Sequence, residues 1–239
     1  MTDPSSVTGM FDGIAPRYDD LNHLLSFGID RIWRRKASKL VAQQHPKTIL
    51  DVATGTADLA LRLAKDNPDA IVIGVDLSTE MLHIGQRKIQ KEKLVRQVRL
   101  ETADAMSLPF SDDSFDAVTA AFGVRNFGDC DKGLREMVRV CHQGGLVAVL
   151  EFSHPTNVLV KAPYRWYSQK WIPWLGGKVS KHPNAYSYLP SSVEAFPSGA
   201  AFVTKLEQSG LREVQSMVFS GGIATLYYGY KPKNNASPQ

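Results

Sequence analysis

Short, continuous apolar runs alternate along the chain with amphipathic segments. Ile49, Leu50 and Val52 surround an acid, Asp51, and read as a buried parallel strand, since a strand covered on both faces need not alternate. A turn of small residues, Ala53-Thr-Gly-Thr-Ala57, follows, and Leu59, Leu61, Leu63 and Ala64 open a helix. The unit then repeats. Ala70-Ile-Val-Ile-Gly-Val75 ends at Asp76, and Ser78 is placed to cap a helix with Met81, Leu82, Ile84 and Gly85 inward. Val98-Arg-Leu100 makes a third strand leading to Asp104-Ala105, and residues 115–122 make a fourth. A helix over 129–141 runs to a glycine stop at His142-Gln-Gly-Gly145, ahead of a fifth strand over 146–152. A helix over 198–209, stopped by Gly210, precedes two last strands, 213–219 and 222–230. A tight turn at Ser220-Gly221 makes those two antiparallel. Strands alternating with helices and closing on a hairpin predict an α/β three-layer sandwich of about seven strands.

Two segments depart from this rhythm. Residues 1–45 precede the first strand and read as helical. Asp30 can cap a helix whose Ile32, Trp33, Ala37, Leu40 and Val41 share a face, with the arginines outside. Ahead of it, Tyr18, Asn22 and His23 are more polar than a packing arm needs, which points to a lid over a site; a plain packing arm is the other reading. Residues 155–197 hold Trp166, Trp171 and Trp174 among tyrosines, prolines and the cations Lys161, Arg165, Lys170 and Lys178. Aromatic residues with basic neighbours suit a membrane interface or an apolar substrate tunnel, and ordinary packing of an inserted helix is the alternative. The whole of 1–239 reads as one domain carrying these two elaborations.

Composition narrows the partners. The net charge of +4 is spread along 239 residues except at Arg31, Arg34, Arg35, Lys36 and Lys39. That cluster suits an anionic membrane surface, against the plainer reading of a mildly basic soluble protein. Nucleic acid is disfavoured, because no basic stripe with interleaved aromatics or groove-reading motif occurs. Cys130 and Cys141 are the only cysteines and form no CxxC, so neither a disulfide framework nor a zinc site is indicated, and a cytoplasmic setting is expected. No signal peptide or spanning segment is read from the chain.

The candidate chemistry sits at strand ends. A strand, a tight turn with Gly55 and a helix N-terminus form the arrangement that meets nucleotide-like ligands. Asp76 follows about twenty residues later at the end of the next strand, where a carboxylate suits two ribose hydroxyls. Asp104 with Ala105 stands where a carboxylate can meet an adenine amino group. With Asp51, these are acids at the carboxyl ends of three successive strands, a pattern fit for a nucleoside without phosphate. The alternative is that each merely caps a helix or forms a turn. Beyond the fourth strand, Gly123-Val-Arg-Asn-Phe127 offers Arg125, whose two-donor fork can hold an oxyanion; a surface ion pair is its bland alternative.

The chain resembles the UbiE/MenG/COQ5 family of quinone-biosynthesis C-methyltransferases, from about Met10 to Lys231. The likeness rests on Phe11-Asp-Gly-Ile-Ala-Pro-Arg-Tyr-Asp, on Asp51-Val-Ala-Thr-Gly-Thr-Ala-Asp-Leu-Ala, and on Phe122-Gly-Val-Arg-Asn. It extends to Gly144-Gly, Leu150-Glu-Phe-Ser, Tyr188-Leu-Pro with Ser192 and Phe196-Pro197, and Gly221-Gly-Ile-Ala. The first turn is generic to many methyltransferases; the amino-terminal block, the Phe122–Asn126 loop and the Tyr188–Pro197 segment are far more specific to this family. The resemblance implies a class I methyltransferase fold, S-adenosylmethionine held by Thr56, Asp76 and Asp104-Ala105 around the Asp51–Gly55 turn, and a prenylated quinol as substrate. Demethylmenaquinol is the expected ring, with a benzoquinol as the alternative. Arg125 is the expected stabiliser of a phenolate, oriented by Asn126, while Tyr18, His154 and Asp76 through a water are candidates for the base. Contact with the inner face of the cell membrane is expected, and a homodimer stays open. Two positions depart from the family: Ala57 replaces the usual glycine of the turn, and Ala121 stands where some relatives have a serine. Ala57 is the one feature favouring a non-catalytic scaffold of a quinone-biosynthesis complex. A soluble methyltransferase acting on a small polar molecule is the further rival, against which the aromatic block argues.

Overall fold

The computed structural model describes Ser26, residues 28–155 and residues 191–233. Tyr18, Asn22 and His23 of the expected lid, and Trp166, Trp171 and Trp174 of the aromatic block, lie outside the described residues. In chain order the elements are α1 (Asp30–Ala42), β1 (Thr48–Val52), α2 (Asp58–Asp66), β2 (Ile71–Asp76), α3 (Thr79–Lys91) and β3 (Val98–Thr102). There follow β4 (Phe115–Ala121), α4 (Cys130–Val140), β5 (Cys141–Phe152), α5 (Ala200–Gln208), β6 (Arg212–Phe219) and β7 (Ala224–Tyr230).

The sheet has seven strands in the order β3-β2-β1-β4-β5-β7-β6. The first five run parallel, and β7 lies antiparallel between β5 and β6. The strand order reverses between β1 and β4, and a crevice opens outside the carboxyl ends of strands at such a point. Alternate residues face opposite layers. Ile49, Val72, Ala117 and Leu146 join Trp33, Leu40, Leu63 and Ile89 in one core, so α1, α2 and α3 cover that face. Leu50, Val75, Val118 and Val147 join Leu134, Met137, Phe202 and Leu206 in the other, under α4 and α5. The three-layer sandwich predicted from the apolar runs is therefore present.

Several local expectations are corrected. Ile29, not Asp30, occupies the N-cap position of α1 and makes no side-chain cap bond. Asp30 instead lies buried in the first turn, where it accepts the Ser26 hydroxyl at 2.6 Å and pairs with Arg34. Arg34 is therefore buried, whereas Ile32, expected on the inner face, is 55% exposed. A paired arginine can take an inward position when its charge is matched. Ile84 is only partly buried on α3, and Ile89 supplies the apolar contact further along. His142-Gln-Gly-Gly145 does not stop α4 short of a later strand. β5 begins at Cys141, opposite Phe115, and the next pair is Ala117 with Leu146, so residues 142–145 bulge out against Asp116 alone. Glycine is required at 145, since a Cβ there would come within 2.7 Å of the Asp116 carbonyl oxygen. The β6–β7 connection is a Ser220–Gly222 helical turn, wider than a two-residue hairpin. Ser78 caps α3 as expected, accepting the Met81 N–H at 3.2 Å, and Asp129 caps α4 through Lys132 N–H at 2.9 Å.

Candidate active site

At the carboxyl end of β1 the chain alternates into left-handed backbone at Ala53, Gly55 and Ala57, with φ of 52°, 54° and 67°. Ala57 thus adopts the conformation that glycine takes freely, and the turn keeps its shape at a strain cost of about 1 kcal/mol or more. Its methyl group is fully buried and meets α3, where a Cβ on Gly85 would approach it to 3.1 Å. Asp76, at the end of β2, fastens the turn: one oxygen accepts the Gly55 N–H at 2.8 Å and the other the Ser78 N–H at 2.9 Å. Gly74 must be glycine for the strand to lie so close, since its Cβ would sit 2.9 Å from Thr54 Oγ1. Asp104 lies past the end of β3 and accepts the Met106 N–H at 2.8 Å, with Ala105 buried beside it. A carboxylate oxygen that accepts one backbone N–H retains capacity for a second donor. The carboxylates of Asp76 and Asp104 therefore suit ribose hydroxyls and an amino group, and the donor set fits the nucleoside end of S-adenosylmethionine.

Thr56 is buried and accepts Lys88 Nζ at 3.0 Å; the same ammonium pairs with Asp58 at 2.6 Å. Arg34 approaches Asp58 from the other side at 3.7 Å and lies over the Phe122 ring, 5.3 Å from its centre. The helix N-terminus after the turn is thus braced by two cations on one acid.

Asp51 lies beneath the turn and does not line it. It is buried, and its two oxygens accept the hydroxyls of Thr54 at 2.7 Å and Thr119 at 2.8 Å. Burial pushes its carboxyl up from 3.8 to about 6, against the lowering effect of those two hydroxyls and of Arg34. A native pKa above the unfolded one means that the native state binds more protons between about pH 4 and pH 6. Stability from this group is full below that window and is lost as pH rises through it, by about 3 kcal/mol. Asp51→Asn should remove that dependence, so the variant's stability relative to wild type should climb from pH 4 to pH 7. Parallel pH profiles of urea unfolding for the two proteins would remove Asp51 as the cause.

The loop after β4 lies directly on this turn. A Cβ on Gly123 would come within 2.5 Å of the Ala53 Cβ, so only glycine allows the approach. Phe122 before it is held at φ 60° and stacks on Phe152 at 4.6 Å, with Trp33 closing the trio at 6.2 and 6.3 Å. Arg125, in the helical turn Val124–Asn126, does make an ion pair, but a buried one. Its guanidinium Nη1 donates to Glu151 Oε2 at 3.0 Å and to the Phe122 carbonyl at 2.5 Å, and it lies over the Phe152 ring at 5.5 Å. The two side chains are 2% and 0% exposed. Glu151 is saturated: it also accepts the backbone N–H of Arg125 at 3.3 Å and of Phe152 at 3.1 Å. Arg125 Nε is the one buried side-chain polar atom without a hydrogen-bond partner among the described residues. Such orphans are rare in native proteins, and a ligand or water that accepts from the donor is one of the ways they are satisfied. Asn126 is half-buried beside Arg125, and His154 is exposed just past the end of β5. Tyr18 lies outside the described residues.

Glu151 and Lys88 are charged groups that sequence reading left without a role, and the same reading places Arg34 in the outward basic cluster. Glu151 stands 26 positions from Arg125, a separation with no periodic signal. An acid within the apolar run Leu146–Phe152 was nonetheless a sign of a paired charge, because an isolated one could not remain buried.

A doubly wound sheet with a nucleoside cradle at its switch point and an antiparallel closing strand defines a class I methyltransferase fold. A solved S-adenosylmethionine-dependent methyltransferase from Aquifex aeolicus shares that fold, with a TM-score of 0.61 and 20% identity over 96% of this chain and 98% of that one. The profile of the ubiE/COQ5 methyltransferase family matches residues 1–231. A demethylmenaquinone methyltransferase from Thermus thermophilus is 48% identical over 223 residues, covering 93% of this chain and all of the relative. The ubiquinone/menaquinone biosynthesis C-methyltransferase UbiE of Geotalea daltonii is 47% identical over 93% of this chain and 94% of its own length. The chain belongs to the ubiE/COQ5 methyltransferase family.

Proposed function

We propose that the protein methylates a ring carbon of a prenylated naphthoquinol, converting demethylmenaquinol to menaquinol. The observation that carries the reading is the buried Arg125 at the cradle's edge, whose Nε–H has no partner among the described residues and whose loop is pressed on the Ala53–Ala57 turn. S-adenosylmethionine, when bound, supplies an electrophilic methyl group on a sulfonium. Asp76 and Asp104 orient its nucleoside portion, and Thr56 and Gly55 shape the turn against which it lies, with Asp51 supporting Thr54 from below. The substrate's ring carbon becomes nucleophilic as the neighbouring hydroxyl loses its proton, which for a free phenol happens near pH ~10. Arg125 lowers that requirement by donating to the developing phenolate, with Asn126 setting the approach. Tyr18, His154 and Asp76 through a water are the candidates for taking the proton. Glu151 is not one, since its oxygens already accept four hydrogen bonds from three donor groups of Arg125 and Phe152.

Methylation of a benzoquinol is the second reading, favoured by the name of the Geotalea daltonii relative, which covers both quinones. Incubating the protein with labelled cofactor and each quinol, then identifying the product, separates the two. A labelled benzoquinol with no labelled naphthoquinol would overturn the first reading. The scaffold alternative loses its support, because Ala57 reproduces the glycine backbone conformation at the turn.

For the cofactor, Asp76→Ala should weaken S-adenosylmethionine binding by about 2–4 kcal/mol, through charge-assisted hydrogen bonds lost to the ribose and a loosened Gly55 amide. Asp76→Asn, which still accepts the Gly55 N–H through its amide oxygen, should lose less. Calorimetry giving an unchanged dissociation constant for both would remove Asp76 from the site.

A further inference from the structure

We propose that the outward face of α1 is a docking surface for an anionic lipid bilayer. Arg31, Arg35 and Lys39 recur every fourth residue and share an exposed stripe with Ile32 and Lys36. None of the four cations has an ion-pair partner among the described residues. The helix's one acid, Asp30, is buried and paired with Arg34. Asp66 of α2 feels the charge of Arg35 but is held directly by Arg62 at 2.7 Å and by the Ser38 hydroxyl at 2.8 Å. The stripe therefore presents more positive charge than its neighbouring acid offsets.

The helix leans on the last strand pair. Lys36 Nζ lies 5.0 Å from the centre of the Phe219 ring, and Trp33 Nε1 donates to Ser220 Oγ at 3.1 Å. On the helix itself Ile32 is 55% exposed. A lone apolar tip among flexible cations matches a fluid layer of anionic headgroups; a protein partner would call for a contiguous apolar centre.

Position adds the second argument. Ala224 pairs with Phe152, so the Ser220–Gly222 turn lies at the carboxyl edge of the sheet, where Arg125 is. The turn of α1 that presents Arg31, Ile32 and Arg35 outward sends Trp33 and Arg34 inward against Phe122. A bilayer seated on this face lies next to the crevice. The choice of lipid as occupant rests on the proposed prenylated substrate, which dissolves in that bilayer.

The test uses the full chain and sedimentation with vesicles of equal parts phosphatidylglycerol and phosphatidylcholine. Arg31→Gln, Arg35→Gln, Lys36→Gln and Lys39→Gln, combined in one variant, should lower vesicle partition about 600-fold, from roughly fivefold for each basic residue. Ile32→Ser should weaken it several-fold, and high salt should weaken wild-type binding as the charge variant does. Both variants should bind S-adenosylmethionine normally and methylate a short-chain, water-soluble quinol at the wild-type rate, while losing turnover on a long-chain quinol held in vesicles. Undiminished sedimentation of the charge variant, or equal wild-type binding to pure phosphatidylcholine, would overturn the proposal and leave the stripe for an acidic protein. Charge-dependent vesicle binding by a protein that methylates no quinol would sink the substrate reading and leave the surface standing.

Discussion

Arg125→Lys should leave the protein folded, with S-adenosylmethionine affinity close to wild type, yet slow methyl transfer by on the order of 10²–10³. Lysine keeps the charge, so Glu151 retains a cationic partner in its buried position. What disappears is the guanidinium fork, and with it the Nε–H that has no partner among the described residues. The distinction matters because the Arg125–Glu151 pair carries no net charge. In the proposed role, its effect on a developing phenolate would come from an oriented N–H in a dry setting, where a donor already fixed in place need not reorganise during reaction. A lysine ammonium drawn to Glu151 cannot direct a second donor along the same line. The loss should fall on kcat with the cofactor dissociation constant little moved, as for an interaction made mainly in the transition state. The variant's rate should also keep rising with pH beyond the wild-type plateau, because solvent hydroxide partly replaces the lost assistance. A normal kcat in the lysine variant would assign Arg125 to folding alone.

The parts of this molecule that sequence disclosed are those governed by local period and by strand-end chemistry. The continuous apolar run around Asp51 is legible because a parallel strand is buried on both faces, and Asp76 is legible because it closes the next such run. The Ser78 cap is a local hydrogen bond with a local signature. What stayed hidden was decided by pairing across the fold. Arg34 sits within a run of cations and looks like its neighbours, and only the placement of Asp30, Asp58 and Phe122 around it brings it inside. Ile32 looked like core on a helical wheel, yet its turn faces outward because Trp33 and Arg34 take the inner position. The bulge at residues 142–145 likewise reads as a helix stop until Asp116 is set opposite it. At the candidate site the cradle was visible, but the brace was not. Nothing local ties Arg125 to Glu151, so the sequence offered the arginine as an oxyanion holder or a surface ion pair, and not as a buried, paired charge.

The same pair sets up the second large effect, which separates folding from chemistry. Glu151→Leu should destabilise the protein by about 3–5 kcal/mol, because it leaves the Arg125 guanidinium buried without its carboxylate. Arg125→Met should cost a similar amount by stranding the Glu151 carboxylate, whose side chain is fully buried. Combining the two changes should recover most of that loss. Taking two charges out of water is itself unfavourable, and apolar residues of similar volume can fill the space beside Phe122 and Phe152. The double variant should thus unfold at a denaturant concentration near wild type while each single variant unfolds well below it. Catalysis should follow the other pattern. The double variant, stable but lacking the donor, should be as inactive as Arg125→Met, since no rearrangement of the core supplies an N–H at that position. Equilibrium unfolding and single-turnover methyl transfer on the four proteins give both readouts. Recovery of activity along with stability in the double variant would show that the ion pair serves only to hold the β4 and β5 strand ends together.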